Sequence, residues 1–144
     1  MLDALNKLDP DKTTWVENES RSIGRAFVPD AFWQKMKVSA LFNLEIPQED
    51  RINNLVEDYA LYPVEDLIAS FERISRKLGG LDFKLAVEAL ENGDMRTAVA
   101  IALKYYDKTY QHGLDTNPSS DIRFFTFNHS DPHQIAAFCI EQAR

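Results

Sequence analysis

The 144-residue sequence predicts an α/β protein with a parallel sheet of about three strands and a large helical block. Three β-prone segments, at residues 12–17, 38–46 and 122–127, are separated by helical segments. Strands separated in this way cannot pair as simple hairpins, so parallel pairing flanked by helices is favoured. Three strands make a thin sheet for so long a helical block. The pattern therefore predicts the later part of a larger α/β domain.

The first two strands are predicted from their β-branched, aromatic and apolar residues. Thr13-Thr14-Trp15-Val16 gives residues 12–17 the composition of a buried strand. A short helix is expected at residues 30–38, with Asp30 as its N-cap. The second strand, residues 38–46, follows this helix directly, so strand and helix alternate in the first third of the chain.

The helical block is predicted from apolar residues at helical spacing between turn signals. Proline opens the first two helices, because it fits the first helical position, and a glycine pair ends the second. The expected helices begin at Pro47, run from Pro63 to Gly79-Gly80, from Leu81 to Glu91 and from Asp94 to about Gln111. Asp94 is the expected N-cap of the last of these helices. After a polar loop and the third strand, Ser130-Asp131-Pro132 begins a closing helix, with Asp131 or Ser130 as its N-cap.

Composition and charge argue against several classes of protein. The net charge is −7, with 23 acidic and 16 basic residues, which disfavours a general nucleic-acid binder because such binding depends on neutralising phosphates. No apolar run approaches the roughly 18 residues of a membrane span, and the first residues lack the pattern of a signal peptide. The single Cys139 fits a reducing compartment. We therefore expect one cytoplasmic domain over residues 1–144 and no membrane partner.

Charged and polar side chains are concentrated directly after the first predicted strand. Glu17, Glu19 and Ser20 are the candidate catalytic groups, and Arg21 and Arg25 are candidate phosphate contacts. Ligands of open α/β sheets bind outside the carboxyl ends of the strands, and arginine binds phosphate in a bidentate manner. The alternative is a salt-bridged loop that holds a turn at the following glycine.

Two further groups of residues are candidates for ligand binding. Arg51 lies in the first turn of a helix, where a positive side chain opposes the macrodipole. It either contacts a phosphate or pairs with Glu49 or Asp50. Tyr105, Tyr106 and Tyr110 offer aromatic faces for base stacking, although tyrosines at helical spacing are also typical of a core.

Metal and thiol chemistry are not expected. His129 and His133 are four residues apart, but Pro132 places the helix start between them and removes the geometry of a zinc pair. Cys139 lies on an apolar helix face, which predicts an inert core thiol. The sequence also contains neither G-x-x-x-x-G-K-[ST] nor G-x-G-x-x-G, so the usual phosphate loops are absent.

Several motifs together resemble the C-terminal part of tRNA 2-selenouridine synthase. They are Trp-Val-Glu-Asn-Glu-Ser-Arg-Ser-Ile-Gly-Arg at 15–25 with Pro29, the junction from Pro47 to Arg51, the Tyr59 region, Leu78-Gly79, Asn92-Gly93-Asp94 and Tyr105-Tyr106-Asp107-x-x-Tyr110. The similarity covers roughly residues 12 to 127. The order and spacing of the first and last motifs make the resemblance fairly specific.

The resemblance implies a fold and a function that the residues alone do not give. That family joins a rhodanese domain, which carries the reactive cysteine, to a P-loop domain. It replaces the sulfur of wobble 2-thiouridine in tRNA with selenium, using selenophosphate and a geranylated intermediate formed from geranyl diphosphate. The fold expected here is thus a partial P-loop-like sheet. The phosphate-loop segment and the rhodanese cysteine of the family are absent, and Cys139 matches no rhodanese motif.

The resemblance therefore implies part of a transferase that is inactive alone and binds none of these substrates by itself. The site residues named above would face the nucleotide or the tRNA phosphates, with tRNA and a rhodanese/P-loop segment as partners. The alternative from another class is a non-catalytic protein-interaction module with an exposed sheet edge. A kinase remnant that binds nucleotide alone is disfavoured, because the phosphate loop is absent.

Overall fold

The computed structural model describes residues 7–9, 11–18, 21–23 and 26–143. Within these residues the chain forms four strands and six helices. The strands are β1 (Ser22–Ile23), β2 (Ala26–Phe27), β3 (Leu41–Glu45) and β4 (Ile122–Thr126). The helices are α1 (Asp30–Val38), α2 (Gln48–Tyr59), α3 (Val64–Leu78), α4 (Gly80–Glu91), α5 (Met95–Asp115) and α6 (Pro132–Gln142).

Contacts between the residues divide the described chain into two compact units. The first contains the described residues up to Leu44, together with Pro118–Phe125 and the described residues from Asp131 onward. The second contains Glu45–Asn117 and Thr126–Ser130, and therefore holds the helices α2 to α5. The prediction of a single domain stays a prediction.

The helical unit is held by two apolar clusters, one of which joins α2 to α5. In this cluster Ile52 of α2 packs with Val99 and Leu103 of α5, and all three side chains are buried. Leu55 and Val56 of α2 extend the same contact. Because Ile52, Leu55 and Val56 recur at helical spacing, they form one apolar face directed at α5.

The second cluster packs α3, α4 and α5 closely through small side chains. Ala89 and Leu90 of α4 and Ala98 of α5 are buried, and α3 contributes Leu67 and Phe71. Alanine at the contact lets two helix backbones approach each other, while the larger residues of α3 fill the remaining space. The long helix α5 therefore takes part in both clusters.

Gly79 and Asp94 lie at helix ends as the sequence predicts, whereas Pro47 and Pro63 are N-caps and not first helical residues as expected. Gly79 has φ +94° between α3 and α4, a conformation that favours glycine, and its N–H donates to the carbonyl of Ser75. The carboxylate of Asp94 caps α5 by accepting from the N–H of Thr97 at 3.0 Å and from its hydroxyl at 2.6 Å. The predicted helices of the block are confirmed to within a few residues.

The pair β3 and β4 is parallel. The N–H of Leu41 donates to the carbonyl of Asp121 at 2.9 Å, and the N–H of Phe127 donates to the carbonyl of Glu45 at 2.8 Å. Partners that advance in the same direction along both strands define parallel pairing. The other pair, β1 and β2, is antiparallel, with Ser22 opposite Phe27.

An aromatic cluster covers one face of the parallel pair in the first unit. Phe42 of β3 contacts Phe125 of β4 with ring centroids 5.0 Å apart, and Phe125 contacts Phe138 of α6 at the same distance. Trp15 meets Phe42 edge-on at 5.2 Å, and the guanidinium of Arg123 lies 5.3 Å from the Phe42 ring centroid. Helix α6 begins after Asp131, whose carboxylate accepts from the N–H of His133 at 2.9 Å.

Two predictions about the start of the chain are wrong. Residues 13–18 do not form the strand expected at 12–17, and Trp15 and Val16 are about half exposed. A β-prone composition yields a strand only where a partner strand accepts its hydrogen bonds, and these residues have no such ladder. Asp30 is the first residue of α1 and not its N-cap, a position that Pro29 occupies. Its carboxylate instead accepts from the guanidinium of Arg21.

The α/β class is confirmed, with a two-stranded parallel pair among the described residues in place of about three strands. No helix in the described part of the chain combines the length and the apolar character needed to cross a bilayer.

Replacing Ile52 by alanine tests the contact between α2 and α5. Ile52 is 4% exposed, so its truncation leaves a cavity that the helices fill only in part. We expect a loss of about 2–5 kcal/mol in the free energy of unfolding, measured by urea denaturation. Leu61→Ala is the matched control because Leu61 is 94% exposed, and it is expected to change stability by less than about 0.5 kcal/mol. Equal losses in both variants would contradict this account.

Replacing Asp94 by alanine or asparagine tests the cap of α5 and its pH dependence. Hydrogen bonds from Thr97 hold the pKa of Asp94 below its ordinary value of 3.8. A lowered pKa stabilises the fold above that ordinary value, and the contribution is lost as the pH falls through the lower folded value. Asp94→Ala should lower the midpoint of thermal unfolding by about 3–5 °C at neutral pH.

Asp94→Asn keeps an oxygen that caps but no longer titrates. We expect this variant to unfold near the wild-type temperature at pH 7 and to lose less stability than the wild type between pH 5 and pH 2. Identical acid unfolding of wild type and Asp94→Asn would refute the assignment.

Candidate functional site

The helical unit contains a cavity of about 720 Å³ between α2, α3, α4 and α5. Most of its wall is apolar and comes from the residues that also build the two core clusters. The apolar lining residues are Leu55, Leu67, Phe71, Ile74, Leu90, Met95, Ala98, Val99, Ala102 and Leu103. Polar atoms come from two arginines, three tyrosines, Asn54 and Ser70. A concave apolar site with a few polar groups is the usual form of a ligand pocket.

Arg51 is the best-anchored cation of this cavity. It lies in the first turn of α2, and its Nη2 donates to Oδ1 of Asp107 in α5 at 2.6 Å. The Arg51 side chain is 35% exposed. The sequence offered Glu49 or Asp50 as its structural partner, and this expectation is wrong. The ion pair forms across the two helices because the packing of Ile52 against Leu103 brings the first turn of α2 close to the middle of α5.

Tyr106 and Tyr110 of α5 line the same cavity as Arg51, together with Tyr59 of α2. Tyr106 is 45% exposed and Tyr110 is 53% exposed, so a fully buried core role for these two rings is excluded. Tyr105 does not line the cavity, but its ring contacts that of Tyr106 at 5.3 Å. The structure therefore brings together Arg51 and two of the three predicted stacking residues.

Arg73 of α3 is a cavity residue that the sequence reasoning missed. It is exposed, lines the cavity, and makes no ion pair with any residue that the structure describes. The signal that would have identified it is its place between Phe71 and Ile74, two members of the apolar stripe of α3. A cationic side chain beside the apolar face of a helix lies at the rim of the cavity or core that this face lines.

The polar side chains of the cavity are suited to binding an anionic ligand. The described lining includes no His, Cys, Asp or Glu. Arg51 and Arg73 supply guanidinium donors suited to phosphate oxygens, and the tyrosine rings supply stacking surfaces. The arrangement fits a ligand that combines an aromatic or apolar body with an anionic group.

Only part of the charged cluster near the start of the chain falls on described residues. Glu19, Ser20 and Arg25 lie outside them, so their predicted roles stay predictions. Glu17 is exposed, and Arg21 pairs with Asp30. The expected strand before this cluster is not formed, so the cluster is not at a strand end among the described residues. Its role in catalysis or phosphate binding stays a prediction.

The thiol, imidazole and carboxylate groups considered outside the cavity are buried, packed or hydrogen-bonded. Cys139 is buried on α6, and burial raises the pKa of its thiol. The rings of Phe127 and His129 lie 5.8 Å apart. Hydrogen bonds that Gln134 and His133 donate to the cap of α6 lower the pKa of Asp131. In the described part of the chain, no three His, Cys, Asp or Glu side chains are grouped to hold a metal ion.

Comparisons with known proteins agree on one family. A family model described as the tRNA 2-selenouridine synthase AAA domain matches residues 1–70. The tRNA 2-selenouridine synthase of Chromohalobacter salexigens is 26% identical over 131 residues, covering 72% of this chain and 36% of that protein. The enzyme of that name from Shewanella sediminis is 29% identical over 153 residues, covering 86% of this chain and 41% of that protein.

A third relative of the same name, from Sulfurovum sp., is 25% identical over 146 residues and covers 81% of this chain and 40% of its own length. No solved structure shows a significant match. The chain thus spans about two fifths of the length of these curated relatives. The resemblance that the motifs indicate is confirmed, and the chain is a sequence relative of part of the tRNA 2-selenouridine synthases.

Proposed function

We propose that this chain provides the helical part of a tRNA 2-selenouridine synthase and that its cavity binds a phosphate-bearing nucleotide of the tRNA. The observation that carries the proposal is the convergence of Arg51, Arg73, Tyr106 and Tyr110 on one cavity. Bases stack on aromatic rings and phosphates bind guanidinium groups, so these residue types match the two parts of a nucleotide. The relatives named for tRNA modification support tRNA as the source of that nucleotide.

The negative charge of the chain supports the proposal that another segment supplies most of the attraction for tRNA. A net charge of −7 repels a polyanion at long range, so only local cations can contribute attraction. We propose that a rhodanese/P-loop segment supplies the remaining positive field and the reactive groups. Selenophosphate and geranyl diphosphate, the substrates that the family implies, would then depend on that segment and are not bound by this chain alone. The chain alone would be inactive as a transferase.

A second candidate function is a protein-interaction module, and one observation favours it. The parallel pair β3 and β4 is two strands wide among the described residues, and Phe124 on β4 is 59% exposed. Parallel sheets are normally wider and covered on both faces, so this pair is suited to accept a further strand. The two candidates are compatible if the added strand belongs to the P-loop segment. The protein-interaction function alone is supported if a partner protein binds this chain without changing its affinity for tRNA.

Replacing Arg51 or Arg73 by alanine tests the cavity. Each variant should bind a tRNA anticodon stem-loop several-fold more weakly at low salt, with a shallower salt dependence, because one phosphate contact is lost. Arg96→Ala is the matched control, since Arg96 also lies on the helical unit but pairs with Glu49 and Asn53 and does not line the cavity. Fluorescence anisotropy gives the affinities. If Arg96→Ala loses as much affinity for the stem-loop as the cavity variants do, the assignment of the cavity is contradicted.

Adding the rhodanese/P-loop portion of a relative tests the division of labour. We expect the chain alone to bind tRNA weakly and the combined proteins to bind it at least about tenfold more tightly, because the added portion supplies phosphate contacts. Filter binding over a range of salt concentrations measures both affinities. Equal, salt-sensitive affinity with and without the added portion would refute this division.

A further inference from the structure

We infer that Asp107 is a positioning residue that fixes the guanidinium of Arg51 for anion recognition in the cavity. This inference rests on the proposed function, in which the cavity binds an anionic group. It assigns a role to a carboxylate that itself does not contact the cavity, since Asp107 is absent from the cavity lining whereas Arg51 is part of it. The carboxylate therefore holds a guanidinium of the cavity wall without itself being part of that wall.

The geometry of the pair leaves most of the guanidinium available. Nη2 of Arg51 donates to a single oxygen of Asp107 at 2.6 Å, and no other side-chain hydrogen bond of Arg51 is formed with the described residues. A guanidinium has five N–H donors in a rigid fork. The donor held by Asp107 restrains the position of the fork, and the remaining donors can meet two oxygens of one anion.

The position of Asp107 on α5 supports a positioning role. It lies one helical turn after Leu103, which packs against Ile52, the residue that follows Arg51. The buried apolar contact therefore holds the two backbone positions that carry the ion pair at a fixed spacing. Arg73 provides the contrast, because it lines the cavity without an ion-pair partner among the described residues and so has no comparable restraint.

The opposing possibility is that Asp107 competes with the ligand. In that case its negative charge would occupy Arg51 and repel an incoming anion. Asp107 is 45% exposed, so water screens its charge, while its hydrogen bond to Arg51 remains short. The two possibilities predict opposite effects of removing the carboxylate, and asparagine separates hydrogen bonding from charge.

The experiment uses two fluorescent probes that share one ring system on the full chain. 8-Anilinonaphthalene-1-sulfonate carries a sulfonate, and N-phenyl-1-naphthylamine has the same ring system without it. We expect Asp107→Ala to weaken binding of the sulfonate probe by about fivefold and to change the neutral probe less than about twofold. Asp107→Asn keeps an acceptor for Arg51 and should retain the wild-type affinity for both probes. In an Arg51→Ala background, Asp107→Ala should have no further effect on the sulfonate probe.

Each other outcome overturns a specific claim. Tighter binding of the sulfonate probe by both Asp107 variants would show competition in place of positioning. If Asp107→Ala weakens the binding of both probes equally, Asp107 has a purely structural role. If Arg51→Ala weakens the sulfonate probe but Asp107→Ala does not, the positioning role fails while the proposed anion site stands. If Arg51→Ala leaves the ratio of the two affinities unchanged, the proposed anion site fails and the role of Asp107 fails with it.

Discussion

The packing of α2 against α5 is the contact on which the candidate site depends. Ile52, Val99 and Leu103 form its buried centre, and Arg51 and Asp107 extend it at one end. Burying an aliphatic side chain contributes about 1.5–3 kcal/mol, whereas a half-exposed ion pair contributes about 0–1 kcal/mol. The apolar contact therefore sets the distance between the helices, and the ion pair follows from it. The same packing also determines part of the shape of the cavity, because Val99 and Leu103 line it.

Arg51 stands where helix electrostatics disfavour it. The first turn of α2 carries Glu49 and Asp50, which suit the positive end of the helix dipole, and Arg51 follows them with the opposite charge. Glu49 is already engaged by Arg96 of α5, so the local carboxylates do not neutralise Arg51. A residue that opposes a local rule and is held by a distant partner is expected at functional sites, where stability is exchanged for a required charge.

The sequence was sufficient for the helices and insufficient for the site. Glycine at positive φ and side-chain caps such as Asp94 act over a few residues, so Gly79, Asp94 and Asp131 could be identified without the fold. The strand expected at Trp15 depends on a partner strand, which no local pattern specifies. Likewise, the pairing of Arg51 with Asp107 joins residues that are 56 positions apart, and Arg73 enters the cavity only because α3 packs on α5. Residue type thus made Arg51 a candidate phosphate contact, which stays a prediction, whereas its ion-pair partner follows only from the tertiary contacts.

The parallel pair β3 and β4 has backbone hydrogen-bonding groups at its two edges and a second face that Phe124 leaves exposed. One face is covered by Trp15 and Phe138, whereas Phe124 on β4 remains exposed. Parallel strands are found almost entirely in sheets with both faces covered, since their crossover helices provide that cover. A two-stranded sheet also has an open edge on each strand, which readily accepts another strand. The curated relatives are more than twice as long as the part that this chain matches, so their additional sequence is sufficient to contain such strands. A further strand added at an edge of β3 or β4 would pair through main-chain hydrogen bonds, which depend little on side-chain identity.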